Sequence, residues 1–143
     1  MRTRDLKHAI VASAEVIRQI HGRVHETFRH RDEGLAQREE WEEACRDFQA
    51  NYDRLAFPGG YWSDANSNAL QRIVAGDEQA MEAAICFLEV RPYFFRSGFM
   101  FKELLRKAKK APLSEDQSAR LKVVLANVEE WRSRKRDALS QKG

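Results

Sequence analysis

The chain has little cysteine, little proline and no long apolar run. Its 143 residues include two cysteines, Cys45 and Cys86, and three prolines. The cysteines form neither a CxxC pair nor the spacing of a disulfide scaffold, so we expect free thiols in a reducing compartment. No stretch approaches the roughly 18 consecutive apolar residues that a membrane helix needs, and the charged N-terminal segment lacks a signal-peptide core. These absences predict a cytoplasmic protein without a membrane span.

The sequence also lacks the short motifs that mark common active sites. It contains no GxSxG, no glycine-rich phosphate loop, no HExxH and no cysteine with a histidine close by in sequence. Each of these motifs places reactive groups at a fixed spacing. We therefore expect a protein that is not an enzyme and needs no cofactor. A helical enzyme or metal protein whose residues meet only in space is the third alternative.

Histidine is confined to the first thirty residues. Of the four histidines, His21 and His25 are four positions apart, a spacing that lets two imidazoles on one helix reach the same metal ion. No other helix offers a histidine, so carboxylates such as Glu43 or Asp47 would have to complete the site. The sequence thus predicts no metal site, with His21 and His25 as weak candidates.

The overall composition is that of one folded domain. Hydrophobic residues make up 43% of the chain and charged residues 33%, which is too apolar for a disordered chain. A chain of this length buries about two thirds of its unfolded surface. We expect a single domain over residues 1–143. The net charge of +3 is too small an excess to indicate any class of partner.

Two long apolar stripes begin the chain. Steps of three, four or seven residues place each stripe on one face of a helix, and a break at 32–34 separates them. The first stripe consists of Leu6, Ile10, Ile17, Ile20, Val24 and Phe28, and the second of Leu35, Trp41, Cys45, Phe48, Tyr52 and Leu55. They predict an antiparallel helical hairpin over residues 3–56, with Trp41 buried.

Four shorter helices are predicted over residues 64–139. Ser63 or Asp64 can cap the first of them, because a short polar side chain accepts a hydrogen bond from the first helical turn. Gly76 stands where a left-handed residue ends that helix, and Asp77 can cap the next.

Proline and a capping box delimit the last helices. Pro92 disfavours helical geometry in the residue before it, and Ser114 with Gln117 has the spacing of a capping box. The polar tail over 132–143 is expected to fray. The residues predicted to face the core are Ala69, Leu70, Ile73, Val74, Ala80, Met81, Ala84, Ile85, Leu88, Phe94, Phe101, Leu104, Leu105, Ala108, Leu121, Val124, Leu125, Val128 and Trp131.

No useful length of the chain alternates with the period of a strand, so the predicted fold is all-α with about six helices. Short connections make consecutive helices antiparallel neighbours. The result is either an antiparallel helical bundle or a short stack of αα-hairpins. From Ser67 onward the alternation of short helices with Gly-Asp and Pro breaks resembles two HEAT-type repeats, a resemblance in periodicity that implies fold alone.

Charge is strongly segregated along the chain. The basic-aromatic segment, residues 91–110, combines five aromatic rings and seven cations with one acid, Glu103. The acidic segment, residues 32–53, has eight acids against Arg38 and Arg46. Such separation steers encounters with a charged partner. Rings of the basic-aromatic segment that do not fit its buried stripe would form an exposed contact surface.

These features predict a protein that acts by binding, most simply to another protein with a complementary charged surface. An adaptor, or a small inhibitor of the immunity-protein type that blocks a toxin or enzyme, fits this description. The alternative is a nucleic-acid-binding protein that uses residues 91–110 to stack bases and hold phosphates. The residues predicted to bind a partner are Arg91, Tyr93, Phe95, Arg96, Phe99, Lys102, Arg106 and Lys109, together with the acidic Glu39, Glu40, Glu43 and Asp47.

Overall fold

Six α-helices form the described part of the structure, a computed structural model that covers residues 2–62 and 68–142. The helices are α1 Thr3–His30, α2 Leu35–Ala56, α3 Ala69–Val74, α4 Glu78–Val90, α5 Ser97–Ala108 and α6 Glu115–Lys142. No strand occurs in these residues, so the prediction of an all-α fold is confirmed. Across the same ranges no helix has the length and apolarity to cross a membrane.

Local sequence signals set several helix ends as predicted. Gly76 has φ +90° and ends α3, where the N–H of Asp77 bonds to the carbonyl of Arg72 at 3.0 Å. The Asp77 side chain accepts the N–H of Ala80 and begins α4. At the start of α6 the predicted capping box is present, because Gln117 N–H donates to Ser114 Oγ at 3.1 Å and Ser114 N–H donates to the Gln117 side chain at 3.0 Å.

The start of α3 differs from the prediction. Ser63 and Asp64, the predicted caps, lie outside the described residues. Within them α3 begins at Ala69, and Asn68 and Gln71 form its capping box. Ala69 and Ile73 are buried as predicted, whereas Val74 is exposed, because a helix of six residues has one narrow inner face.

Helix α4 lies at the centre of the bundle. Its predicted inner residues are buried, and so are Ala83, Cys86 and Phe87 on its other faces. It packs against α1, α3, α5 and α6. In a repeat stack each hairpin contacts only its neighbours along the chain, whereas here one apolar helix is surrounded. The arrangement is a helical bundle, the first of the two predicted architectures.

The α1–α2 hairpin extends beyond this core. Leu6, Ile10 and Ile17 on the near half of α1 are buried, but Phe28 is 44% exposed and Leu35 is 83% exposed. The prediction of a buried stripe is therefore wrong at Phe28 on α1 and at Leu35 on α2. At this distal end Trp41 is half-buried rather than buried, and its ring meets the Phe28 ring edge-on at 5.9 Å.

Helix α6 is longer than the sequence predicted. It has 28 residues, as many as α1, and continues to Lys142 where a frayed tail was expected. Residues 129–142 contain neither glycine nor proline and consist mostly of good helix formers, which favour continuation of the helix. The inner half buries Leu121, Val124 and Val128, whereas Trp131 is 43% exposed and not in the core.

An ionic network joins α6 to α4. The Arg120 guanidinium donates to Glu82 at 2.9 Å and to Glu89 at 2.5 Å, and all three side chains are about four-fifths buried. Burial alone would raise the pKa of both carboxyl groups. Hydrogen bonds outweigh that effect, and the pKa values of Glu82 and Glu89 lie below their ordinary range.

Helix α1 joins the same network. The Thr3 hydroxyl donates to Glu82 at 2.8 Å, and the Lys7 ammonium lies 3.3 Å from Glu89. Cys86 lies beside Glu82. Burial of the thiol raises its pKa to about 11, and the nearby Glu82 carboxylate is the second cause of this rise. Since the thiolate is the reactive form, Cys86 is an inert core residue. Cys45 is half-buried, and both cysteines are free.

Candidate binding groove

A wide concavity lies between the loop at 91–96, α5 and the exposed half of α6. We call it the basic-aromatic groove. Its volume is about 760 Å³, within the range of small-molecule sites. Buried apolar side chains form its floor, namely Phe94, Phe101, Leu105 and Val128.

Five cations surround this floor. They come from three parts of the chain and are Arg91, Arg96, Lys102, Arg132 and Lys135. No carboxylate is among the described residues that line the groove. Glu103, the one acid of the segment over 91–110, accepts a hydrogen bond from Tyr61 at 2.7 Å instead. The groove thus combines a low-dielectric floor with charge of one sign, an arrangement that focuses the electric field on a ligand.

Three aromatic rings of the groove are exposed. Tyr93 is 79% exposed, Phe99 58% and Trp131 43%. The Arg91 guanidinium lies 5.4 Å from the Trp131 ring centroid, and the Lys135 ammonium lies 5.0 Å from it. These cation–π contacts orient Trp131 on the wall of the groove. The sequence left open whether such rings were buried or exposed, and Tyr93 and Phe99 are exposed.

The loop between α4 and α5 is held in an unusual conformation. Arg91 has φ +50° and Arg96 has φ +66°, and both residues line the groove. Left-handed backbone is strained for side chains of this kind by about 1–2 kcal/mol per residue. Arg91 is the C-cap residue of α4, and its N–H donates to the Phe87 carbonyl at 2.8 Å.

Hydrogen bonds from three helices fix this loop. The Tyr52 hydroxyl of α2 donates to the Phe95 carbonyl at 2.5 Å, and Arg18 of α1 donates to the Tyr93 carbonyl. The Phe94 N–H donates to Ser97 Oγ at 3.1 Å. Because the backbone is held in this way, the exposed ring of Tyr93 is presented on a rigid support.

His21 and His25 lie in a second hollow beside the groove. This hollow has a volume of about 400 Å³ and shares Tyr93 and Arg96 with the groove. The His21 ring lies 4.5 Å from that of His25 and 4.7 Å from that of Phe95. Burial and the neighbouring His25 lower the pKa of His21. Over 2–62 and 68–142 no cluster of three or more His, Cys, Asp or Glu side chains can hold a metal ion.

The predicted partner-binding residues do not form a single surface. Arg106 is exposed on the far half of α5 and Lys109 is exposed just after its end, and neither lines the groove. Phe95 faces His21. The acidic residues Glu39, Glu40, Glu43 and Asp47 are all exposed along α2. No residue of α2 lines the groove.

Sequence reasoning missed the contribution of α6 to the groove. Trp131, Arg132 and Lys135 form its outer wall, whereas the apolar stripe of the sequence predicts a buried Trp131. A signal was present, because Trp131 and Lys135 are four positions apart and therefore adjacent on a helix. The exposure of this pair could not be predicted from the spacing alone, because it depends on the bundle ending near Val128.

Two hydroxyl-bearing residues of the described chain line the groove. Its hydroxyl groups belong to Tyr93 and Ser97, and Ser97 is buried and bonded to the loop backbone. An apolar floor with a cationic rim favours a ligand that carries an apolar group flanked by negative charge. Comparison with known protein families, with curated proteins and with solved structures finds no match to this chain.

Proposed function

We propose that this protein works in the cytoplasm, without catalysis, by binding another protein through the basic-aromatic groove. The observation that carries the proposal is the union of an apolar floor, exposed rings and five cations without a carboxylate. Aromatic residues and arginine dominate the energetic centres of protein interfaces. Complementary charge adds specificity and speeds association.

The partner is expected to offer an apolar side chain between carboxylates. The apolar group would lie on Phe101 and Leu105, and the carboxylates would pair with cations such as Lys102 and Lys135. This role is that of an adaptor, or of an immunity-type inhibitor if the partner is a toxin or an enzyme.

Nucleic acid is the second candidate ligand. The exposure of Tyr93, Phe99 and Trp131 next to cations favours it, because such rings can stack unpaired bases while the cations hold phosphates. The buried apolar floor at Phe101 and Leu105 favours a protein side chain over a solvated phosphate backbone. The groove therefore favours a protein partner over nucleic acid.

A capture experiment with matched variants tests the proposal. The bait is the full chain, with Lys102→Glu and Lys135→Glu as the groove variant. Arg106→Glu and Lys109→Glu give a control with the same charge change outside the groove. We expect a protein that the wild type and the control retain from native lysate after nuclease treatment, and that the groove variant loses.

The other outcomes are also informative. Equal capture by the groove variant and the wild type would refute the role of the groove. Material that nuclease removes, and whose binding falls steeply with salt, would establish the nucleic-acid alternative. Capture of nothing by the wild type would overturn both candidates for that lysate.

A further inference from the structure

The first two turns of α2 carry an exposed stripe of one apolar and two acidic residues. Leu35 is 83% exposed, the highest value among the large hydrophobic side chains described. Glu39 and Glu42 follow it four and seven positions later and are also exposed. Residues at these intervals lie on one face of a helix. We call Leu35, Glu39 and Glu42 the acidic stripe.

Neighbouring residues leave the charges of this stripe uncompensated. In the described parts of the chain neither Glu39 nor Glu42 forms an ion pair, whereas Arg38 is paired with Asp32 at 2.8 Å. The buried side of α2 is formed by residues such as Ala44, on the opposite face of the helix. The stripe therefore points to solvent with its apolar and acidic groups together.

The stripe has the chemistry that the basic-aromatic groove favours. An apolar side chain with carboxylates on the next turns matches an apolar floor with cations around it. The two surfaces belong to the same molecule but do not meet within it, since no α2 residue lines the groove and Leu35 is almost fully exposed. A second copy of the chain can place its acidic stripe in this groove.

We propose that the acidic stripe of one copy docks in the basic-aromatic groove of another. Leu35 lies on the apolar floor, and Glu39 and Glu42 pair with rim cations such as Lys102 and Lys135. The inference rests on the proposed function in that it uses the same groove. Self-association then competes with the partner protein and keeps the exposed rings covered in its absence.

The contact joins two different surfaces, so its geometry is heterologous. Two copies close into a dimer if both contacts form at once, and otherwise a free groove and a free stripe remain at the ends. Two helical turns in a groove bury less area than a stable interface needs. We therefore expect weak association that salt suppresses, because the paired charges lie near the surface.

Sedimentation equilibrium of nuclease-treated full-length protein over a range of concentrations tests this inference. At low salt we expect the average mass to rise above the 16.6 kDa of one chain with increasing concentration, and to return to it at high salt. Glu39→Lys with Glu42→Lys, the stripe variant, should weaken association at least tenfold. The control, Glu40→Lys with Asp47→Lys, makes the same charge change on another face of α2 and should associate like the wild type.

Mixing gives the sharpest result. The stripe variant keeps its groove, and the groove variant with Lys102→Glu and Lys135→Glu keeps its stripe. Each should be monomeric alone, and a mixture should form a one-to-one complex. A wild type that stays monomeric at low salt, or association that neither variant weakens, would overturn the inference.

The two proposals can fail independently of each other. If the wild type is monomeric but captures a partner that the groove variant loses, protein binding stands without self-association. If the mixture forms the one-to-one complex but no lysate protein is captured, self-association stands without the proposed partner.

Discussion

Arg120 connects three helices through two partly buried glutamates, and its removal tests how the bundle is held. Arg120→Met keeps the packing of the side chain but leaves Glu82 and Glu89 without their main charge partner. A buried charge that loses its partner is strongly destabilising, and since these groups are about one-fifth exposed we expect a loss of about 2 kcal/mol in the free energy of unfolding. Urea unfolding at neutral pH measures it.

Arg136→Met is the matched control for this substitution. Arg136 pairs with Glu129 at 3.3 Å on the same helix, but both side chains are largely exposed. Exposed pairs contribute little to stability, so the control should unfold like the wild type. Equal losses in the two variants would show that Arg120 acts through the helix itself and not through the network.

Acidification should weaken the same network. The pKa values of Glu82 and Glu89 are lower in the folded chain than their ordinary value of 4.5. Their contribution to stability is therefore complete above that value and is lost as the pH falls through the folded-state pKa values. We expect the advantage of the wild type over Arg120→Met to shrink over the interval below pH 4.5 as the solution is acidified. Urea midpoints across this interval measure the difference, and a constant difference would contradict the assignment.

At the scale of helices, two glycines should respond in opposite ways to substitution by alanine, the one at the end of α3 with a loss of stability and the one inside α1 with a gain. Gly76 has φ +90°, and an added Cβ would lie 3.0 Å from Cγ of Pro112. Gly76→Ala should therefore cost about 1–2 kcal/mol of stability. Gly22, inside α1, has open space around it, and Gly22→Ala should stabilise by about 0.5–1 kcal/mol through helix propensity. Thermal unfolding of both variants checks the opposite signs.

Helix ends could be predicted from the sequence because their signals are local. Gly76, Asp77 and Ser114 each act on groups within four residues. Exposure could not be predicted in the same way, because it depends on which other helices are present. Phe28 and Trp131 continue apolar stripes whose earlier residues are buried, yet both extend past the end of the bundle.

The candidate groove was predictable in part for the same reason. Segment 91–110 supplied Arg91, Tyr93, Arg96, Phe99 and Lys102, all of which line the groove. The wall from α6 requires a contact between distant parts of the chain, which no spacing rule contains. The ion pairs of Arg120 could not be predicted either, because their glutamates lie on another helix.

At the scale of the whole molecule, the described residues form a dense centre with two arms. The centre is α4 and the helices packed around it, and the arms are the distal hairpin and the outer half of α6. One surface on each arm carries unbalanced charge, negative on α2 and positive beside Trp131. The arms are free to contact other molecules because neither is needed to bury the core.

This division predicts a gradient of amide hydrogen exchange. The amides of α4 are enclosed by four helices and should exchange only through global unfolding, whereas those around Phe28, Leu35 and beyond Trp131 should open locally at much lower free energy. Native-state exchange at low protein concentration measures the opening free energies of both groups of amides. Protection around Leu35 equal to that of α4 under these conditions would contradict the division. At high concentration and low salt, self-association adds a specific change. Protection should then grow together over 35–42, over 91–102 and over 131–135, the groove wall on α6, and not over 136–142.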